Sequence, residues 1–245
     1  MKASAIEFSL RMFINMAIVL VGLSAPWTAA LGPGQRMPLL EWLPLELSRL
    51  GLLTFNVASP LVIVLAAVIA AIGAGLRVWG TAWLGAATVQ HGEMQAGHIM
   101  ADGPYRYVRN PLYLGLWFVF AALGFLMPPT GTLFTIVLSA VFMFRLILGE
   151  EAFLAGQLGQ PYLDYLKAVP RLIPRLRTTL AHTARKPNWP RALLTEITPI
   201  GIFIALAFVS WSYNWMNMAR VIVISFGLSL VIRALLSMQS PNLQE

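Results

Sequence analysis

The chain has 245 residues, of which 58% are hydrophobic and only 11% charged, and it carries a net charge of +7, a mean hydropathy of +0.72 and no cysteine. A soluble domain carries about 25% charged residues, so this chain cannot cover its apolar surface in water, and lipid is the solvent that fits. The missing cysteines exclude disulfides, zinc–thiolate sites, iron–sulfur clusters and thiol nucleophiles together.

In chain order, six apolar segments approach the roughly 20 residues that a helix needs to cross the hydrocarbon core. They are 13–31, 57–76, 111–127, 130–148, 197–216 and 218–236, the last with Arg220 and Arg233 near its ends. Backbone polar groups in lipid must be satisfied internally, so these segments are expected to be helices. The sequence thus predicts an all-α polytopic bundle of about six transmembrane helices. Pro128-Pro129 between the third and fourth predicts a tight antiparallel hairpin. Residues 1–30 could also be read as a cleaved signal peptide, but Glu7 and Trp27 argue against that. Residues 37–55 alternate Leu and Trp with Glu41, Glu46 and Arg49, as an interfacial helix does.

With an inside N-terminus, only Arg36, Arg49 and Arg220 of the 17 basic residues fall outside. Cytoplasmic loops accumulate Lys and Arg, so both termini and the polar stretches 90–110 and 150–191 are expected on the cytoplasmic side. The basic charge has this use without nucleic acid. The chain divides into an N-terminal helix with its interfacial segment (1–56), a core (57–178), and a basic linker with a C-terminal helix pair (179–245).

The polar stretches hold the chemistry. No Gly-Lys-Ser/Thr phosphate loop, His-Glu-x-x-His or Gly-x-Ser-x-Gly occurs, and no metal set is expected. The first stretch reads Gln90-His91-Gly92-Glu93, then Gly97-His98-Ile99-Met100, then Gly103-Pro104-Tyr105 and Arg109-Asn110-Pro111-Leu112-Tyr113. The second follows Arg145 with Glu150-Glu151, then Gly159-Gln160-Pro161-Tyr162-Leu163-Asp164-Tyr165 and Val169-Pro170. Residue by residue, these are also ordinary headgroup anchors and an intrahelical salt bridge. His182 reads as a surface residue.

Taken together, the motifs resemble the isoprenylcysteine carboxyl methyltransferase and phospholipid methyltransferase family of integral membrane enzymes. That signature is a Gly-Pro-Tyr turn, an Arg-His-Pro-x-Tyr helix start, a Glu-Glu helix end, and a Gly-x-x-Tyr-x-x-Tyr run into Val-Pro. The resemblance covers about 57–177. It departs at Asn110, where the family has histidine, and at Gly97, which stands at the family's other histidine beside His98. It implies an S-adenosylmethionine pocket at the cytoplasmic ends of the helices, lined by Gln90, Gly97, His98, Ile99, Met100, Tyr105, Asn110, Pro111, Leu112, Tyr113 and Glu150.

The chemistry of the cofactor fits that assignment. Glu150 could take its ammonium, and Arg109 or the N–H groups of the helix starting at Pro111 its carboxylate. Tyr105 and Tyr113 could pack on adenine or the sulfonium. In-line methyl transfer needs alignment and a dry site rather than a nucleophile or metal. A carboxylate acceptor needs no general base, whereas an amine must shed a proton. The sequence therefore favours a lipid or isoprenoid-type carboxylate entering from the bilayer and held by Arg145. Three alternatives stay open: a phospholipid N-methyltransferase, a membrane reductase with a nicotinamide cofactor, and a non-catalytic transporter or helper.

Overall fold

The computed structural model describes residues 2–27, 36–84, 101–178, 180 and 186–238, and among them there is no β-strand. Ten α-helices follow in chain order: α1 (Ala5–Ser9), α2 (Arg11–Leu23), α3 (Leu39–Arg49), α4 (Phe55–Leu84), α5 (Pro111–Gly124), α6 (Pro129–Leu158), α7 (Gln160–Ala168), α8 (Trp189–Thr195), α9 (Ile197–Ser212) and α10 (Trp215–Met238). A 3-10 turn at Gly103–Arg106 precedes α5.

Three of these are long and apolar enough to cross a bilayer: α4, α6 and residues 215–236 of α10. A fourth span arises if α8 and α9, which meet at a 71° bend, count as one. The predicted first and third spans appear as α2 and α5, with 13 and 14 residues. At 1.5 Å per residue they reach only about 20 Å. Proline sets the start of α5, since Pro111 opens it in the first-turn position where no N–H is needed. Beyond Gly124 the chain turns through Phe125–Met127 into Pro128-Pro129, the expected tight connection.

The long helices pack through small residues. Ala66, Ala70, Gly73 and Ala74 are buried along α4. A Cβ on Gly73 would lie 2.8 Å from the Gly115 carbonyl oxygen, so the α4–α5 crossing depends on two bare backbones. The main core joins Val62, Ile63 and Ala66 of α4 to Val119 of α5 and Ala205, Leu206 and Val209 of α9. Within the segment 37–55, Leu39–Arg49 forms α3, docked just past the end of α5 by Leu39 and Leu40 N–H groups donating to Met127 and Phe125 carbonyls. The N-terminal helices pack on α6 through Phe8, Ile18, Phe142 and Leu146. Outward, Leu133, Val137 and Val141 of α6 and Val223 and Ile224 of α10 are exposed, which suits a lipid solvent.

Candidate active site

The ends of α4, α5 and α6 meet at one end of the bundle, where the 3-10 turn and α7 cover them. Gly103 opens that turn at φ +54°, a conformation favouring glycine, and a Cβ there would strike the Trp83 ring. The turn is held from α7, because the buried Tyr165 hydroxyl donates to the Tyr105 carbonyl at 2.8 Å. Two backbone bonds clamp the next residues: Arg109 N–H to Pro170 O at 2.9 Å and Arg175 N–H to Tyr107 O at 3.0 Å. The Tyr-x-x-Tyr run and the Val-Pro therefore brace the Gly-Pro-Tyr turn. Burial pushes the hydroxyls of Tyr162 and Tyr165 above the usual tyrosine range, so both stay neutral donors.

From this platform α5 projects Tyr113 toward α6. The Tyr113 hydroxyl donates to Glu150 Oε2 at 2.9 Å. Arg11 of α2 lies close enough to act electrostatically on both groups. The adjacent carboxylate has another task. Glu151 is buried and accepts from Arg171 Nε and Nη2 at 3.0 and 2.8 Å and from Asn110 Nδ2 at 3.2 Å, with Arg109 Nη1 at 3.5 Å. Asn110 also donates to the Arg171 carbonyl. Glu151 thus knots the start of α5 to the chain after α7. Both side-chain bonds of Asn110 serve that knot.

Tyr105 is buried beneath this knot, and its hydroxyl has no hydrogen-bond partner among the described residues. Burial, then the neighbouring Tyr165 and Glu150, push it well above the usual tyrosine range. A Cβ on Gly80 would be 3.4 Å from that hydroxyl and 2.7 Å from a Leu112 methyl, so glycine there lets Tyr105 and Leu112 close on α4. Pro111 is buried as the first residue of α5. Gln90, Gly97, His98, Ile99 and Met100, with His91 and His182, lie outside the described residues.

A groove of about 750 Å³ lies between α5 and α6. Tyr113, Leu114, Trp117, Val141, Phe144 and Ile147 line it, together with Arg145. Arg145 is already engaged, since its Nη2 donates to both oxygens of Glu7 at 2.7 and 2.9 Å. Glu7 also completes a capping box with Ser4 at the start of α1. Its carboxyl is held below the usual range, first by the Ser4 N–H and then by Arg145 and the Ser4 hydroxyl. The sequence reading assigned Glu7 no role at this site, although Ser4-x-x-Glu7 is a legible helix start.

A second pairing also went unassigned. Arg77 of α4 clasps Glu196 at the α8–α9 bend, with Nε–Oε2 at 2.6 Å and Nη2–Oε1 at 2.9 Å. Thr81 donates to the same carboxylate at 2.7 Å, and Arg77 Nη1 donates to the Leu112 carbonyl at 3.3 Å. No spacing rule joins residues that far apart in sequence.

The arrangement places a carboxylate–phenol pair, a buried phenol with no partner among the described residues, and an apolar groove in a helical bundle. Residues 61–160 match the phospholipid methyltransferase family. That family includes the isoprenylcysteine carboxyl methyltransferases, so the resemblance drawn from the motifs holds. The match implies a membrane methyltransferase. It takes in Arg77, the 3-10 turn, Tyr113, Arg145 and both glutamates, and leaves Glu7, Arg171 and Glu196 outside. Neither a curated protein nor a solved structure matches the chain.

Proposed function

We propose that this phospholipid methyltransferase family member moves a methyl group from S-adenosylmethionine to the carboxylate of a long apolar acceptor, on the cytoplasmic side of the membrane. The observation that carries the reading is the hydrogen bond to Glu150 from Tyr113, a residue that itself lines an apolar groove. The residues present fit the cofactor. Glu150 is an anion for its ammonium, the Tyr105 hydroxyl is a buried donor with no partner among the described residues, and the first-turn N–H groups of α5 face the same end as Arg109 for its carboxylate. Gln90 and residues 97–100 belong to the same set by the family pattern. The cofactor supplies an electrophilic methyl on a sulfonium.

In this reading Arg145 holds the acceptor carboxylate, and Trp117, Val141 and Phe144 take its chain. The accepting oxygen gains the methyl without shedding a proton, so no base is required. Apolar walls exclude water from the line of transfer. The concentration of Lys and Arg at the site end supports a cytoplasmic site. Glu7 competes with the acceptor for Arg145. Glu7→Gln is therefore expected to lower KM for a carboxylate acceptor several-fold with the cofactor KM unchanged, read by steady-state kinetics in detergent.

A second reading, amine methylation of a phospholipid, draws on one observation: Glu7 already neutralises the arginine at the groove. Purified protein given methyl-labelled cofactor and total membrane lipid separates the two. A product that releases labelled methanol in mild base is a methyl ester, whereas label stable to base is an N-methyl lipid. Calorimetry with S-adenosylhomocysteine and NADPH gives the second arm. Binding of NADPH alone would replace both readings with a reductase.

A further inference from the structure

The two most exposed large hydrophobic side chains among the described residues are neighbours in one non-helical stretch: Leu176 at 97% and Ile173 at 83%. Both exposures exceed those of the lipid-facing residues on α6 and α10. The stretch is not loose. Arg109 N–H to Pro170 O and Arg175 N–H to Tyr107 O tie it to the 3-10 turn segment. Arg175 also donates through Nη1 to Ala168 O, and Arg171 is fixed by Glu151. A firmly anchored segment thus holds two apolar side chains out, which in water is an unfavourable arrangement.

Its depth in the bundle gives the reason. Leu172 and Ile173 line the same groove as Arg145 and Leu148 of α6. From Pro129 to those residues is about 24 to 29 Å along the helix, close to the roughly 30 Å of hydrocarbon. If the Pro128-Pro129 turn marks one boundary, the 172–177 stretch stands at the other, with Leu172 and Ile173 on the groove. Its charge suits that level. From Asp164 to Glu196 the sequence has seven Lys and Arg residues and no acid between them, and Lys167, Arg175 and Arg177 are exposed.

We propose that residues 172–177 form a membrane-dipping hook, with Ile173 and Leu176 among the acyl chains and Arg175 and Arg177 on the phosphates of anionic phospholipid. Exposed apolar tips beside arginines are the chemistry that an anionic leaflet recognises. Because Ile173 also borders the groove, the hook marks where a lipid-borne molecule would pass from leaflet to groove. The inference does not depend on the reaction catalysed.

The absence of native cysteine makes the test direct. Ile173→Cys, Leu176→Cys and, as a water-facing control on α7, Asp164→Cys are each spin-labelled and reconstituted. The vesicles are phosphatidylcholine alone, or equal parts phosphatidylcholine and phosphatidylglycerol. Collision rates with oxygen and with a water-soluble nickel complex report depth. The ratio of oxygen to nickel collisions is expected several-fold higher at 173 and 176 than at 164. It should rise further with phosphatidylglycerol, and Arg175→Gln with Arg177→Gln should remove that rise, the backbone bonds to Tyr107 and from Arg109 still holding the stretch in place. Labels at 173 and 176 as open to nickel as the control overturn the hook. So do labels shielded from both reagents, which would place this face against protein, and so does a depth indifferent to phosphatidylglycerol and to the arginines.

Discussion

Glu150→Gln is expected to weaken S-adenosylhomocysteine binding by about two orders of magnitude while leaving the fold intact. The amide keeps an oxygen for the Tyr113 hydroxyl, which donates at 2.9 Å, so packing survives and only the charge goes. A desolvated charge facing an ammonium is worth about 2–5 kcal/mol when one partner is lost. Tyr113→Phe removes a hydrogen bond to a charged group and is expected to cost about tenfold. Glu151→Gln behaves differently. Its carboxylate holds Arg171 and Asn110, so the loss appears first as a lower thermal midpoint. Calorimetry and thermal unfolding in the same detergent separate the three variants. Equal affinity in Glu150→Gln and the parent would remove Glu150 from the proposed cofactor site.

The ordering of these effects could not be read from the sequence, where Glu150 and Glu151 are simply adjacent acids. The motif picked Glu150 by position, and its contact with Tyr113 spans two helices that the Pro-Pro turn places side by side. Local rules were enough there: Pro111 starts α5, Pro128-Pro129 joins α5 to α6, and the residues between are apolar. The same rules explain the braced turn after the fact, since Tyr165 reaches Tyr105 because Gly159 turns the chain back over the site. Asn110 was legible as a helix start and as a polar group near Glu150. That its amide serves Glu151 and the Arg171 carbonyl instead was not, because Arg171 comes from beyond α7.

The pairings that escaped are those made across the whole chain. Glu7 and Arg145 are brought together by α1 lying across α6, where the Ala3 N–H donates to the Arg145 carbonyl. Apolar periodicity locates each helix but says nothing of which helix is its neighbour. The site therefore draws on the N-terminal helices and the C-terminal bend, both outside the family match. Of the six spans expected from hydropathy, three helices, or four spans with the bent pair, are long and apolar enough to cross among the described residues, while α2 and α5 are shorter. A run of apolar residues reports solubility in lipid, whereas helix length is cut by the caps and prolines that end it.

The Arg77–Glu196 clasp gives the sharpest test of how the C-terminal bend serves the core. Glu196 is 1% exposed and holds Arg77 and Thr81 where α8 turns into α9, so either charge alone would be stranded in a dry interior. Arg77→Met or Glu196→Leu singly is expected to destabilise the protein by about 3–5 kcal/mol. The double variant replaces both charges with apolar volume, and its thermal midpoint is expected to return close to the parent's. Cofactor affinity should not return with it. Arg77 Nη1 also donates to the Leu112 carbonyl, one residue before Tyr113, and no methionine can replace that bond. A stable double variant with weakened S-adenosylhomocysteine binding makes Arg77 a positioning residue for the start of α5. A double variant that recovers both stability and affinity reduces the clasp to packing, and one that stays as unstable as the single variants shows that the bend at Glu196 needs the ion pair itself.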